Sequence, residues 1–361
     1  MTTTPGLADI VRLADFEPLA RAAMDPAGFD YIAGGSWDEI TLAENEAAWT
    51  RRRFRPRVLV DVSGVDPATT LLGSPSALPL AIAPMAIHGL AHPDGELATA
   101  RAAAAAGVPF TLSTMASRSI EEVATAAPDG TRWFQLYVQR DPGRSRSFVQ
   151  RAVDAGYRAI VLTVDLPVLG YRERDLRSGF TLPPLGLFPV GGANHQITLR
   201  NAFEHDGGAD SEMRNLTWDG LATIRSWSSL PLVVKGILTA EDARLAVEHG
   251  VDGIVVSNHG ARQLDRVPAP IDVLAEIVAA VDGRAEVWVD GGVRRGLDIA
   301  IALALGARGV LLGKPILWAL AVGGQAGVER ALTILREEFV IALALLGAPT
   351  PADVRPEHLV R

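Results

Sequence analysis

The feature that most constrains the fold is a pattern that recurs from Pro79 onward. Short runs of β-branched and aliphatic residues alternate with longer stretches rich in alanine, leucine and charged residues. Continuous apolar runs of this kind are typical of strands buried on both faces of a parallel sheet. The eight runs are residues 80–84, 109–114, 132–138, 159–165, 232–237, 253–258, 286–290 and 309–314.

Helical patterns lie between these runs and after the last of them. They cover residues 96–106, 120–126, 143–155, 219–226, 240–248, 271–281, 297–305 and 325–346. Gly107, Gly156, Gly250 and Gly306 follow four of these helices, where a left-handed residue closes a helix most easily without a Cβ. Eight strand–helix units predict an α/β protein, a closed (β/α)8 TIM barrel. The alternative, a doubly wound open sheet, normally has a GxGxxG turn after its first strand, and residues 84–89 (PMAIHG) do not match it.

We expect one domain over residues 1–361. Residues 1–75 have helical spacing and are expected to form N-terminal helices that could cover the base of the barrel, which itself takes residues 76–346. Residues 166–217 separate the fourth and fifth strands, a length typical of active-site covers, so we expect a lid-like loop there.

Composition excludes several kinds of site. The chain has no cysteine, which rules out a disulfide scaffold, a cysteine-based metal site and a thiol nucleophile. The net charge of −8 argues against a nucleic-acid partner, whose binding surface is normally basic. Neither an HExxH motif nor an acidic calcium loop is present, so we expect no metal. The chain lacks the pattern of a secretory signal or a spanning helix, and a cytoplasmic location is the expectation.

Polar residues follow nearly every apolar run, at the strand ends where TIM barrels carry their chemistry. His259 directly follows the sixth run, and histidine suits proton transfer near neutral pH. Asp165 ends the fourth run, and a nearby carboxylate would orient the ring. Arg172 and Arg262 could clamp a carboxylate through paired N–H donors. The pattern therefore predicts a base beside an anion site.

The last two strands are followed by glycines and cations. Residues 290–296 (DGGVRRG) and 312–314 (LGK) are typical of the phosphate site that follows strands seven and eight of this fold. Lys235 follows the apolar residues 232–234, which we expect to be buried, and it could form a Schiff base, pair with a carboxylate or lie against a cofactor. Tyr31 and Tyr137 could act in the site or simply pack with the hydroxyl reaching water.

These segments together resemble the FMN-dependent L-2-hydroxy acid oxidase/dehydrogenase family, which includes glycolate oxidase, lactate oxidase and mandelate dehydrogenase. The most specific segment is VSNHGARQLD at residues 256–265. The supporting segments are LTVDLPVLGYRERD from Leu162, FQLYV from Phe134, VVKGI from Val233, DGGVRRG from Asp290 and LAENEAAWTRRRFRPR from Leu42. The resemblance covers residues 29–346 and implies FMN-dependent oxidation of an L-2-hydroxy acid to the 2-keto acid, with O2 giving H2O2, in a homotetramer.

The resemblance also implies roles for individual residues. The implied catalytic set is His259 as the base with Asp165 as its partner, Tyr137, Tyr31, Arg172, Arg262 and Lys235. The implied FMN contacts are Pro84, Met85, Ala86, Ser113, Gln135, Thr163, Lys235, Ser257, Asp290, Gly291, Gly292, Arg294, Gly313 and Lys314. The implied substrate contacts are Tyr31, Tyr137, Arg172, His259, Arg262 and Met115. Lys235 would stabilise reduced, negatively charged flavin. At the position of Lys314 the family often has arginine.

The acceptor and the substrate are less constrained. Alanine at position 86 is similar to the oxygen-using members of the family and favours an oxidase. The apolar segment 180–190 leaves open the alternative of a membrane-associated dehydrogenase that passes electrons to a quinone or another carrier. Met115 replaces a tryptophan of glycolate oxidase, so mandelate and lactate are both compatible. The other interpretations are an FMN isomerase of prenyl diphosphates, a Schiff-base aldolase through Lys235, and a non-catalytic phosphate-binding barrel.

Overall fold

The eight predicted strands close into a parallel barrel. A computed structural model describes residues 6–180 and 216–360, together with the backbone of residues 186–190 and 193–197. The strands are β1 Thr69–Leu71, β2 Ser74–Ser76, β3 Leu80–Ile82, β4 Phe110–Ser113, β5 Arg132–Leu136, β6 Ala159–Thr163, β7 Gly186–Val190, β8 Ala193–Ile197, β9 Leu232–Ile237, β10 Gly253–Val256, β11 Glu286–Val289 and β12 Gly309–Leu312. The barrel follows the order β3-β4-β5-β6-β9-β10-β11-β12, and β12 pairs back to β3. The predicted (β/α)8 TIM barrel is therefore confirmed.

Helices surround the barrel. They are α1 Phe16–Ala23, α2 Pro26–Ala33, α3 Ile40–Thr50, α4 Glu96–Ala105, α5 Ile120–Ala126, α6 Pro142–Asp154, α7 Glu173–Ser178, α8 Trp218–Arg225, α9 Ala240–Glu248, α10 Pro270–Val281, α11 Gly296–Ala304 and α12 Lys314–Leu346. The predicted helices over residues 120–126 and 240–248 match α5 and α9. The four glycines that follow predicted helices all have φ between 67° and 95°, as left-handed caps require.

The interior of the barrel is apolar and packed. Trp133 on β5 and Trp288 on β11 meet edge to face, with ring centroids 5.2 Å apart. Small side chains such as Ala81 and Ala159 leave room for these indoles. Leu71 of the β1–β2 hairpin is fully buried against the same cluster. This hairpin, rather than an N-terminal helix, contacts the barrel interior.

The N-terminal region departs from the predicted helices over residues 1–75. In the described part, helices end at Thr50, residues 51–68 are neither helix nor strand apart from one bridge at Phe54, and residues 69–76 form the hairpin. Pro56 and Pro67 explain the difference, because proline removes a helix hydrogen bond and clashes with the preceding turn. Residues 1–5 lie outside the described residues.

The long connection between β6 and β9 has some regular structure. It contains α7, and β7 pairs with β8 as an antiparallel hairpin. The rest of the predicted lid, residues 181–185, 191–192 and 198–215, lies outside the described residues, as do the side chains of the apolar segment beyond Phe180. The lid stays a prediction. Within the described ranges, none of the helices has the length and hydropathy needed to span a membrane.

Helix α12 turns at Gly323 and Gly324, and this turn brings its two halves together. Gly324 has φ of 56°, and Gly327 then lies against the backbone of the first half, where an added Cβ would be 2.0 Å from the carbonyl oxygen of Ala319. The close approach explains why this helix tolerates glycine at a buried position.

We expect Gly327→Ala to lower the free energy of unfolding by about 1–3 kcal/mol, because the methyl group overpacks this crossing. Gly220→Ala is the matched control, since Gly220 is also helical but its added Cβ would only make a 3.4 Å contact with Leu216. The control should gain about 0.5–1 kcal/mol from helix propensity. Urea denaturation of both variants measures the difference, and equal shifts would contradict this packing.

Candidate active site

A cavity of about 450 Å³ opens at the carboxyl ends of the barrel strands. Every barrel strand, or the loop that follows it, contributes to its lining. The predicted site residues that line it are Tyr31, Pro84, Met85, Ala86, Ser113, Met115, Gln135, Tyr137, Thr163, Arg172, Lys235, His259, Arg262, Asp290, Gly291, Gly292, Arg294, Gly313 and Lys314. The two remaining residues, Asp165 and Ser257, contact lining residues from behind. The structure therefore brings the whole predicted set together.

The candidate base is held by a buried carboxylate. His259 Nδ1 lies 2.8 Å from Asp165 Oδ1, and His259 Nε2 lies 3.4 Å from the hydroxyl of Tyr137. Burial disfavours the charged form of Asp165, but the His259 ring and its hydrogen bond outweigh burial and hold the pKa of Asp165 below its ordinary value. An ionised carboxylate only accepts hydrogen bonds, so His259 Nδ1 is the nitrogen that donates to Asp165, and Nε2 faces the cavity.

Tyr137 stays a neutral phenol. Burial, and after it the charge of Asp165, raises the pKa of Tyr137 above its usual range. A neutral phenol can both donate and accept a hydrogen bond, whereas a phenolate could only accept. Tyr137 therefore offers the cavity a hydrogen-bond donor next to His259.

A glycine permits the approach of Asp165 to the strand that carries Lys235. Gly236 has φ of 116°, and an added Cβ would lie 2.6 Å from the Cβ and Cγ of Asp165. This residue was not among the predicted site residues. The VVKGI segment does contain a sequence feature that could have indicated it, because a glycine inside a buried apolar run often marks a close approach by another part of the chain.

Two arginines share the cavity. Arg262 Nη1 donates to the carbonyl oxygens of Tyr31 and Gly34, and its guanidinium carbon lies 4.8 Å from the centre of the Tyr31 ring. Arg172 is buried and its Nε donates 3.3 Å to the carbonyl oxygen of Arg262. Burial, followed by the charge of Arg172, lowers the pKa of Arg262 to about 10, which leaves the guanidinium group of Arg262 charged at neutral pH. Two neighbouring like charges, one buried and one partly buried, favour binding of an anion between or beside them.

Lys235 has two buried partners. Its Nζ lies 2.9 Å from Asp290 Oδ2 and donates 2.6 Å to Ser257 Oγ. Burial disfavours the ammonium, yet Asp290 and then Asp165 outweigh it and raise the pKa of Lys235. A lysine held in its charged form is a poor amine nucleophile, so the ion pair argues against the Schiff-base alternative.

Two polar atoms in the wall have no hydrogen-bond partner among the described residues. Gln135 Oε1 accepts from Ser113 Oγ and from the backbone of Thr114, which fixes the amide and leaves Nε2 without a partner. Asp290 Oδ1 is likewise buried and unpaired. Buried unpaired polar atoms are costly, so both are natural contacts for a polar ligand.

The predicted phosphate cup contains cations that already have protein partners. Lys314 Nζ donates to the carbonyl oxygens of Ala33, Gly34 and Gly260, at 3.1–3.3 Å. Burial, then the charges of Arg262 and Arg294, lowers the pKa of Lys314 well below its usual value. An anion placed among these cations would relieve this repulsion.

Comparison with known proteins assigns the family. The family model described as FMN-dependent dehydrogenase matches residues 20–361. An L-lactate oxidase from Nostoc sp. is 50% identical over 358 residues, which cover 97% of this chain and 98% of that protein. A glycolate oxidase from Spinacia oleracea is 46% identical over 366 residues, with 97% and 96% covered. The chain belongs to the FMN-dependent dehydrogenase family. A solved structure of mandelate oxidase with (S)-2-phenylpropionate matches this family member with a TM-score of 0.87 at 45% identity, covering 97% of this chain and 98% of that one.

The family's cofactor is FMN, and the cavity fits it chemically. FMN needs hydrogen-bond partners for its ring edge and its ribityl hydroxyls, together with cations and backbone N–H groups for its phosphate. The unpaired Gln135 Nε2 is suited to the ring edge, and the unpaired Asp290 Oδ1 is suited to the ribityl hydroxyls. Arg294, Lys314 and the glycine-rich turn line the same cavity and are suited to the phosphate.

The pKa of Asp165 gives a prediction for stability against pH. Because this pKa is lower in the folded chain than its unfolded value near ~3.9, the carboxylate stabilises the fold above that pH and loses the effect as pH falls through the folded pKa. The free energy of unfolding of wild type, relative to that of Asp165→Asn, should fall as the pH is lowered from about 5 through the folded pKa of Asp165. Denaturant titrations at each pH measure it, with the exposed Asp154→Asn as the control. Parallel curves for wild type and Asp165→Asn would contradict the assignment.

Proposed function

We propose that this protein oxidises L-2-hydroxy acids to 2-keto acids with FMN and passes the electrons to O2. The observation that carries the proposal is the single cavity in which the His259–Asp165 pair faces two charged arginines. An isomerase of prenyl diphosphates has no need of a base placed beside a carboxylate clamp. The relatives named lactate oxidase and glycolate oxidase, which this chain matches over nearly its whole length, support the same activity.

The residues that would hold FMN are those that the family resemblance implies, and all but Ser257 line the cavity. When bound, FMN supplies the two-electron oxidation. The proposed contacts to its ring are Pro84, Met85, Ala86, Ser113, Gln135, Thr163, Lys235 and Ser257. The proposed contacts to its ribityl chain and phosphate are Asp290, Gly291, Gly292, Arg294, Gly313 and Lys314. Lys235, kept charged by Asp290, would favour electron density on the ring.

Substrate orientation falls to the arginines and the tyrosines. Arg172 and Arg262 would bind the substrate carboxylate through charge-assisted hydrogen bonds. Tyr31 lies against Arg262 and would contact the same carboxylate, while Tyr137 would donate to the substrate near His259. The carboxylate and the reacting carbon are then fixed relative to the base, which is what proximity catalysis requires.

His259 is the proposed proton acceptor. Its Nε2 takes a proton from the hydroxy acid, and the imidazolium that forms is stabilised by Asp165 at Nδ1. The overall step removes two electrons and two protons from the substrate, converting the C–OH carbon to a C=O. Reduction of O2 by those two electrons, with two protons, gives H2O2.

The proposed acceptor and substrate class depend on the cavity wall. Ala86 lines the cavity, and it is the residue on which the oxygen-using expectation rests. Met115 and the apolar segment 166–169 line the same space, and Val168 and Leu169 are half-exposed or more. An apolar wall of this kind suits an aliphatic or aromatic side chain on the substrate. A cytoplasmic homotetramer completes the proposal.

A substrate panel tests the function. Glycolate, L-lactate, longer aliphatic L-2-hydroxy acids and (S)-mandelate are offered to the FMN-loaded protein, and peroxide release is compared with reduction of an artificial dye. Peroxide formed in step with keto acid supports the oxidase. Dye reduction with negligible peroxide would favour a dehydrogenase that uses another carrier, and inactivity toward every acid would contradict the proposal.

His259→Ala should lower the rate of flavin reduction by about 10²–10⁴-fold, because it removes the general base. FMN should remain bound, since the ring contacts come from other residues. Anaerobic stopped-flow absorbance measures the rate per bound flavin. His249→Ala is the control and should reduce normally, because the His249 ring follows α9, hydrogen-bonds the Leu245 carbonyl oxygen and lies beside Trp218. An unchanged rate in His259→Ala would remove the base from the mechanism.

Arg172→Met should raise the KM for the hydroxy acid by about 10- to 100-fold, because it removes a charged hydrogen-bond donor to the carboxylate. The affinity for FMN should change far less. Initial rates across substrate concentration measure KM, and Arg336→Met, an exposed arginine on α12, is the control. A KM equal to that of wild type would show that Arg172 does not bind the carboxylate.

A further inference from the structure

The LAENEAAW segment has no role in the proposed chemistry, yet it lies at the site. Its helix, α3, carries Asn45, which is 3% exposed and lines the cavity. Asn45 Nδ2 donates 3.0 Å to Asn258 Oδ1, and Asn258 Nδ2 donates 2.7 Å to Asn45 Oδ1. The two amides therefore form a closed pair between an N-terminal helix and the residue that precedes His259.

The loop that carries His259 has an unusual backbone. His259, Gly260 and Ala261 have φ of 60°, 63° and 63°, so two non-glycine residues are left-handed in one short run. Such conformations are costly and persist only where surrounding contacts impose them. Ala261 supplies two of those contacts, because its N–H donates 3.1 Å to Asn258 Oδ1 and its carbonyl oxygen accepts from the backbone of Ser36.

The side chain of Asn258 spans this loop and is fully used. Its Oδ1 accepts from Asn45 and from Ala261, and its Nδ2 donates to Asn45 and, at 3.3 Å, to the carbonyl oxygen of Pro268. These four bonds saturate a buried amide. Without Asn45, two of the four are lost, and the amide that holds the left-handed loop can rotate.

The other side of α3 is fixed against the turn after β11. The carbonyl oxygen of Asn45 lies so close to Gly292 that an added Cβ there would be 1.8 Å from it. Trp49 Nε1 donates 2.9 Å to the carbonyl oxygen of Gly291. Helix α3 is thus fixed against the turn after β11, while the side-chain amide of Asn45 binds Asn258 after β10. These contacts make α3 a rigid support.

We propose that Asn45 is a positioning residue for the candidate base, acting through Asn258 to hold the left-handed loop that aims His259 into the cavity. The inference rests on the proposed function, because it assigns Asn45 to the orientation of that base. A residue that only stabilised the fold would change the fraction of folded protein, whereas a positioning residue changes the rate per folded, flavin-loaded molecule.

The test is a double-mutant cycle with Asn45→Ala, Asn258→Ala and the double variant. Thr50→Ala is the control, because it removes an exposed side-chain hydrogen bond from the same helix. Thermal unfolding, FMN affinity by quenching of flavin fluorescence, KM, and anaerobic flavin reduction per bound flavin are measured for each. We expect Asn45→Ala to slow reduction about tenfold or more, with KM and the FMN dissociation constant within about threefold of wild type. The double variant should be no slower than Asn258→Ala.

A second substitution covers the case in which Asn45→Ala does not fold. Asn45→Asp keeps the shape but places a carboxylate oxygen against Asn258 Oδ1, and burial beside an acceptor favours the protonated acid. Relative to wild type, this variant should be slow at about pH 8 and recover at about pH 5, where the protonated acid again donates to Asn258. A constant ratio across pH would contradict the inference.

Three further outcomes would overturn it. A normal rate per bound flavin in Asn45→Ala, with a lower melting temperature, would make the residue merely structural. A large loss of FMN affinity at a normal rate would make it a cofactor contact, and multiplying effects in the double variant would show that it acts independently of Asn258. Wild type that is not reduced by any hydroxy acid would refute the proposed function itself, whereas an active wild type with unaffected variants would refute only this inference.

Discussion

The hydrogen bond between Asp165 and His259 is the contact on which the rest of the site depends. It joins the ends of two barrel strands, β6 and β10, and both side chains are largely buried, at 12% and 17% exposed. A buried carboxylate is costly without a partner, so Asp165 requires the N–H of His259. That requirement fixes the tautomer of the ring and points its basic nitrogen at the cavity. Gly236 makes the arrangement possible by leaving space beside the carboxylate.

Some of the remaining charged side chains in the cavity neutralise each other, and the others leave an excess of positive charge. Lys235 and Asp290 form a buried pair, so their charges are balanced within the protein. Arg172 and Arg262 share the cavity wall, and burial together with the charge of Arg172 lowers the pKa of Arg262. A bound carboxylate would offset the excess positive charge of the two arginines. A bound phosphate would do the same for the positive charge around Lys314. The barrel therefore places the proposed base, the proposed substrate site and the proposed phosphate site on one rim.

The parts of this architecture that repeat locally could be predicted from the sequence. Buried parallel strands are continuously apolar, so the sequence pattern predicts all eight barrel strands, and the polar residues beside these apolar runs indicate His259, Asp165 and Lys235. Contacts between distant segments could not be predicted. Helix α2 packs against α1, α7 and α12, and the β1–β2 hairpin packs against the barrel interior. Pro56 and Pro67 interrupt the helical spacing between these two elements. The pairing of Asn45 with Asn258 joins residues 213 positions apart, which no local pattern reveals.

The central claim is that one cavity holds a base, a carboxylate clamp and FMN in register for oxidation of a hydroxy acid. Anaerobic titration of the FMN-loaded protein with an L-2-hydroxy acid, followed by admission of air, tests it most directly. The account predicts complete loss of the visible flavin absorbance with one equivalent of keto acid formed per flavin, and recovery of the absorbance with an equivalent of peroxide in air. An absorbance that stays unchanged with every L-2-hydroxy acid, in protein shown to bind FMN, would contradict it.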